Sequence, residues 1–121
     1  MGGKLTTHVL DTSRGIPGSD MKVELYKVLE KQGVEQIVLL ATRFTNADGR
    51  LDPPFLEDEL SEGVYELRFH ARAYFETFLL ESGIHTIWDV IPLRCKITSI
   101  NEHYHVPLLV APGGYSTYRG T

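Results

Sequence analysis

The chain has 121 residues, 42% of them hydrophobic, with 16 acidic against 12 basic side chains and a formal net charge of −4. That predicts one domain with one core, and its scattered Lys and Arg residues exclude nucleic acid and an anionic membrane as main partners. A single cysteine, Cys95, excludes an internal disulfide framework and a thiolate metal cluster, and no stretch reads as a membrane span or an apolar signal region.

Short β-prone runs separated by turn signals predict an all-β sandwich or barrel. The first is Leu5 to Leu10, broken by SRGIPGSD with its two glycines and Pro17. Met21 to Leu29 follows, with Val23 and Leu25 on one face and Glu24 and Tyr26 on the other. Gln36 to Thr45 is apolar and β-branched, which predicts a deeply buried strand, and NADG then turns the chain with Arg50 just beyond. A short strand is expected near Leu56 to Leu60, after Pro53 and Pro54. Val64 to His70 alternates cleanly, Tyr65, Leu67 and Phe69 against Glu66, Arg68 and His70. From Ala71 to Ser82 the period becomes helical, with Tyr74, Phe75, Phe78 and Leu79 on one stripe and Gly83 as the stop. A strand through Ile100 and a last one ending at Pro112, Gly113 and Gly114, before a short tail, complete about seven or eight strands and one helix.

Strand alternation also organises the chemistry. In HYHVPLL, His103 to Leu109, side chains two apart share a face, so His103, His105 and Pro107 oppose Tyr104, Val106 and Leu108. The apolar set fills the core, which leaves the histidines facing solvent, a cleft or another subunit. His8 offers a third imidazole, and adjacency of the first and last strands would bring all three together. Three readings fit such a face. The histidines are solvated surface groups; or they form a zinc or iron site with three neutral nitrogens and an open position; or they carry out metal-free acid and base catalysis. Spacing alone does not separate them. Arg50 and Arg119 are either surface charges or planar forks of donors for a carboxylate, a urea-like group or an oxyanion. Tyr118 is an edge aromatic whose hydroxyl meets solvent or a ligand. The polar YRGT terminus either frays or folds over a pocket.

Four segments, LTTHVLDTSRGIPG (5–18), TNADGR (45–50), GVYELRF (63–69) and HYHVPLLVAPGGYSTYRGT (103–121), together resemble the transthyretin-related 5-hydroxyisourate hydrolases, in that family's order. The most specific is the last, because a terminal Tyr-Arg-Gly-Ser distinguishes the family from the hormone-carrying transthyretins; Thr121 stands here in the last place. The resemblance implies one transthyretin-like domain over residues 1–121, a β-sandwich of two four-stranded sheets with one short α-helix. It also implies a homotetramer, a dimer of dimers with active sites in the channel between dimers. The implied reaction is hydrolysis of the small molecule 5-hydroxyisourate to 2-oxo-4-hydroxy-4-carboxy-5-ureidoimidazoline in urate degradation, with no cofactor and no metal. Carried over motif by motif, His8, Arg50 and His105 are the expected catalytic residues. The expected substrate contacts are His8, Arg50, His103, Tyr118, Arg119, Gly120 and Thr121. The expected compartment is the cytoplasm, or the peroxisome in a eukaryote. One segment departs from the family pattern: IHTIWDVIPL (84–93) lacks the aromatic-rich FFPEV-like stretch common after the helix.

Overall fold

The computed structural model describes residues 2–57, 59–79 and 82–121. Along them run β1 (Lys4–Asp11), β2 (Ile16–Pro17), β3 (Lys22–Lys31), β4 (Val34–Phe44), β5 (Leu56–Glu57), β6 (Gly63–His70), α1 (Ala71–Leu79), β7 (Val90–Ile97), β8 (His103–Ala111) and β9 (Gly114–Thr117). One sheet runs β2-β1-β8-β9, with β5 also on β1, and the other runs β4-β3-β6-β7. The two-residue strands β2 and β5 share one edge of β1, β5 against Lys4 and Leu5 and β2 against Leu10 and Asp11. Five strands therefore make a sheet four positions wide, and the all-β sandwich with one short helix is the observed fold. None of the described helical residues forms a segment long and apolar enough to cross a membrane.

Alternation decides what enters the core. In β1, Leu5, Thr7, Val9 and Asp11 are buried while Lys4, Thr6, His8 and Leu10 are only half-buried, the two sets lying on opposite faces of one strand. Tyr104, Leu108 and Val110 of β8 join the buried set and meet Val23, Leu25, Leu67 and Phe69 of the other sheet. Each buried Leu, Val or Phe contributes about 1.5–3 kcal/mol of transfer free energy, so the register of both strands is held by the core side. β1 and β8 pair in parallel, Lys4 opposite His103, Thr6 opposite His105 and His8 opposite Pro107, because the intervening chain crosses through the second sheet before returning. The outward face that results carries the polar residues of both strands.

The helix begins directly after β6 and buries Ala71, Tyr74 and Phe75, the i, i+3, i+4 stripe of an amphipathic helix. The described helix ends at Leu79, short of the expected Ser82; in the turn beyond it Ser82 N donates to the Leu79 carbonyl at 3.0 Å, and Gly83 has φ +78°. Residues 80 and 81 and the Phe78 side chain, all included in the expected helix, lie outside the described residues. So does residue 58, within the strand expected near Leu56 to Leu60, of which the described part is Leu56–Glu57. Tyr74 ties the helix to β1 by donating to Asp11 Oδ2 at 2.7 Å.

Three expectations are corrected. The run Gln36 to Thr45 is not deeply buried: β4 is an edge strand, and Val38, Leu39 and Leu40 are all exposed. β4 pairs with β3 along its length, but β6 covers β3 only from Val23 to Val28, so the tip of the β3–β4 hairpin extends beyond β6. The strand expected to reach Ile100 ends at Ile97, where the Tyr104 hydroxyl accepts from Thr98 N at 3.2 Å and Ser99 N at 3.0 Å and bends the chain. Finally, Pro112 and Gly113 do not begin a tail. They form a hairpin turn into β9, which pairs with β8 from Leu108 opposite Thr117 to Ala111 opposite Gly114.

Candidate active site

Two backbone devices bring distant residues to the outward face of β1 and β8. The NADGR turn is closed by Asn46, whose Oδ1 accepts from Asp48 N at 2.9 Å and Arg50 N at 3.0 Å. It docks on the edge of β1 between β5 and β2, where Val9 N donates to the Gly49 carbonyl at 2.8 Å and Arg50 bridges to His8. Gly49 is required there: its φ is +76°, and a Cβ would stand 2.3 Å from the Val9 carbonyl oxygen. The second device is the C-terminal segment, which leaves β9 and folds back so that Gly120 N donates to the His105 carbonyl at 2.8 Å.

The result is an open cavity of about 490 Å³ lined by Thr6, His8, Arg50, His103, His105, Tyr118, Arg119, Gly120 and Thr121. All seven residues expected to contact substrate line it. Another depression, about 220 Å³ beside α1 and lined by Arg72, Phe75 and His85, lies apart from them.

Each of the two half-buried imidazoles has one nitrogen engaged. His8 Nε2 lies 2.9 Å from the Asp48 carbonyl oxygen; a carbonyl only accepts, so Nε2 carries the hydrogen and the neutral ring keeps its lone pair on Nδ1. His105 Nδ1 lies 2.7 Å from the Thr6 hydroxyl, which leaves Nε2 as its unengaged nitrogen. Burial and then the Arg50 charge hold His8 below the ordinary imidazole pKa, against the opposing pull of the Asp48 carbonyl and carboxylate. His105 is held down by burial, then by Arg50 and by His8. Both rings are therefore neutral near neutrality and able to take up a proton. Arg50 is the permanent charge that acts on both.

The remaining expected residues differ in how firmly they are held. His103 is exposed at the start of β8. Tyr118 is 57% exposed. Arg119 lines the cavity, but its guanidinium sits 4.7 Å over the Tyr104 ring and donates to the His103 carbonyl at 3.3 Å, with Glu102 Oε1 at 3.7 Å. Gly120 rests against the His105 ring so closely that a Cβ there would be 2.3 Å from Cδ2. Among the described residues no three of His, Cys, Asp and Glu are grouped to hold a metal ion.

Residues 5–120 match the HIUase/Transthyretin family. The chain belongs to that family. It is 52% identical, over 100% of both chains, to the 5-hydroxyisourate hydrolase of Halalkalibacterium halodurans. Its structure is similar to that of Klebsiella pneumoniae 5-hydroxyisourate hydrolase, with a TM-score of 0.75 and 34% identity over 98% of this chain and 94% of that one. It also matches the crystal structure of an (S)-allantoin synthase, TM-score 0.84 and 39% identity over 99% of this chain, spanning 44% of that longer chain. Family membership thus covers both segments that carry the imidazoles.

Sequence reasoning missed two participants. Thr6 was readable only as a neighbour of His8 on its face; its link to His105 depends on a parallel pairing that joins residues 99 positions apart. The Asp48 carbonyl has no side-chain signature at all, and the one available signal was the turn motif that places it.

Proposed function

We propose that this chain is a 5-hydroxyisourate hydrolase that opens the cyclic amide of its substrate by imidazole acid and base catalysis, with His8, Arg50 and His105 in catalytic roles. The observation that carries the reading is the convergence, on one cavity, of two neutral imidazoles with a guanidinium acting on both. Family membership and the names of the relatives supply the substrate class.

Opening a cyclic amide requires a nucleophilic water, stabilisation of the carbonyl oxygen and a proton for the leaving nitrogen. One imidazole takes a proton as the water oxygen bonds to the ring carbonyl carbon, and Arg50 stabilises the oxyanion. Collapse breaks the C–N bond, the leaving nitrogen receives the proton, and a carboxylate and a ureido-type nitrogen remain as 2-oxo-4-hydroxy-4-carboxy-5-ureidoimidazoline. Tyr118, His103 and the Arg119-Gly120-Thr121 segment border the substrate and limit solvent. No step calls for a metal or an organic cofactor.

We further infer a homotetramer, built as a dimer of dimers. Among the described residues, β7 and β9 end their sheets with no strand beyond them, leaving unpaired backbone groups that a second copy can satisfy. The single free cysteine, half-buried, suits a reducing compartment such as the cytoplasm.

The test is to generate 5-hydroxyisourate from urate with urate oxidase and follow its ultraviolet decay with and without the protein. Acceleration is expected, and His8→Asn and His105→Asn are each expected to lower kcat by about 10²-fold or more. Decay at the uncatalysed rate overturns the enzyme reading, and full turnover in both variants overturns the catalytic assignment.

A further inference from the structure

Thr6 stands in the cavity wall beside the residues already given roles. Its side chain projects from β1 at the position directly opposite His105 in the parallel register, and its Oγ1 is 2.7 Å from His105 Nδ1. The opposite side of the ring is closed by Gly120, where no further atom fits against Cδ2. A ring held at Nδ1 and packed at Cδ2 keeps one orientation, with Nε2 as the nitrogen left for chemistry.

We propose that Thr6 is a positioning residue for His105: its hydroxyl accepts the Nδ1 hydrogen, so that the neutral ring presents an unprotonated Nε2 to the cavity. One fact favours this direction over a hydroxyl that donates to Nδ1. A hydroxyl that accepts from Nδ1 keeps its own hydrogen free to donate, and Thr6 itself lines the cavity.

The choice of a hydroxyl, where a carboxylate orients the base in a Ser-His-Asp triad, has a consequence. A neutral orienter fixes the tautomer without stabilising the imidazolium. The ionisable groups around His105 are His8 from β1, Arg50 from the turn docked on β1, His103 on β8 itself, and Tyr118 and Arg119 from the C-terminal segment. None of their side chains is a carboxylate, and the Asp48 carboxylate acts on His8, whereas the charges acting on His105 are those of Arg50 and His8. His105 is therefore set to remain neutral and basic at neutral pH.

This inference rests on the catalytic reading of His105, and its test separates the two. Selective ¹⁵N labelling of histidine in the whole protein reports the tautomer of His105 without any turnover. The wild type is expected to show a neutral ring protonated at Nδ1, Thr6→Ala a mixture of tautomers, and Thr6→Ser the wild-type pattern. Protonation at Nε2 in the wild type, or an unchanged ring in Thr6→Ala, overturns the proposal. In turnover, Thr6→Ala is expected to lower kcat about tenfold, equivalent to about 1.4 kcal/mol, with KM nearly unchanged and with recovery in Thr6→Ser. Thr6→Asp, where it folds, places a carboxylate on Nδ1 and is expected to move the acid limb of the pH–rate profile to higher pH. A limb that stays in place or moves down also overturns the proposal. Should the wild type not accelerate hydroxyisourate decay, the functional reading fails while the tautomer result still decides the role of Thr6.

Discussion

Replacing Gly120 by Ala isolates the contact between the C-terminal segment and the reacting imidazole. The new Cβ would stand 2.3 Å from His105 Cδ2, 3.0 Å from Cγ and 3.3 Å from Cβ, whereas carbon atoms rest at about 3.5–4.0 Å. More than an ångström of displacement is needed. If the ring yields, it leaves its rotamer and its 2.7 Å bond to Thr6. If the segment yields, it gives up the 2.8 Å bond from Gly120 N to the His105 carbonyl. Either route loses about 0.5–1.5 kcal/mol for the hydrogen bond, and about 0.5–1.5 kcal/mol more for distortion. The sum, about 1–3 kcal/mol, converts at 1.36 kcal/mol per decade to a fall of roughly 5- to 150-fold in kcat/KM. Little of it reaches the fold, because Gly120 lies on the outward face and not in the core. The assay is ultraviolet decay of hydroxyisourate at several concentrations, with a thermal melt of the same sample. A folded Gly120→Ala protein with kcat/KM within about twofold of wild type would show that the segment does not rest on His105 during turnover.

Two further predictions concern stability. The Asp11 carboxylate is fully buried and accepts from Ser13 N at 3.0 Å, Arg14 Nε at 3.1 Å and Tyr74 at 2.7 Å, as well as from the Ser13 hydroxyl. Asp11→Asn turns one acceptor into a donor facing donors and removes the charge, so it is expected to cost about 2–3 kcal/mol, read as a lowered urea midpoint with an unchanged slope. An unchanged midpoint refutes this account of the clamp between β1 and α1. His8 and His105 titrate below the ordinary imidazole value when folded. The unfolded chain thus binds more protons in the interval between folded and unfolded pKa values. Stability is fully present above the unfolded value and declines as pH falls through the folded ones. Asp11, Glu24 and Glu66 are also held low, but as carboxylates they act in a more acid window. Melting temperatures through mildly acid pH are expected to fall less in His105→Asn than in wild type, and an equal or steeper fall refutes the linkage.

The legible parts of this molecule are those that depend on one strand at a time. A period of two placed His103 and His105 on the face away from Tyr104 and Leu108, and the structure buries the latter pair. The same rule failed for Gln36 to Thr45 because an apolar run reports what a strand avoids exposing on average, not what lies against it. Val38, Leu39 and Leu40 remain exposed because β4 ends its sheet with β3 on one side only, a fact recorded in the pairing and not in the run itself. The tail was misread for a related reason: Pro112 and Gly113 signal a turn equally well whether the chain pairs afterwards or frays.

The site demanded pairwise information that no single segment holds. His8 and His105 were each visible as imidazoles on strand faces, yet the partner that selects each ring's free nitrogen lies on another segment: Thr6 on β1 for His105, and the Asp48 carbonyl on a turn for His8. Both links follow once two pairings are known, the parallel register of β1 with β8 and the docking of the NADGR turn on the opposite edge of β1, between β5 and β2. The order of inference then reverses. Core packing of Leu5, Val9, Tyr104 and Leu108 sets the register, the register sets Thr6 opposite His105, and that contact decides which nitrogen meets the substrate. A substitution in the core that slipped β8 by one residue would turn His103 and His105 inward and abolish the site without touching any residue in it.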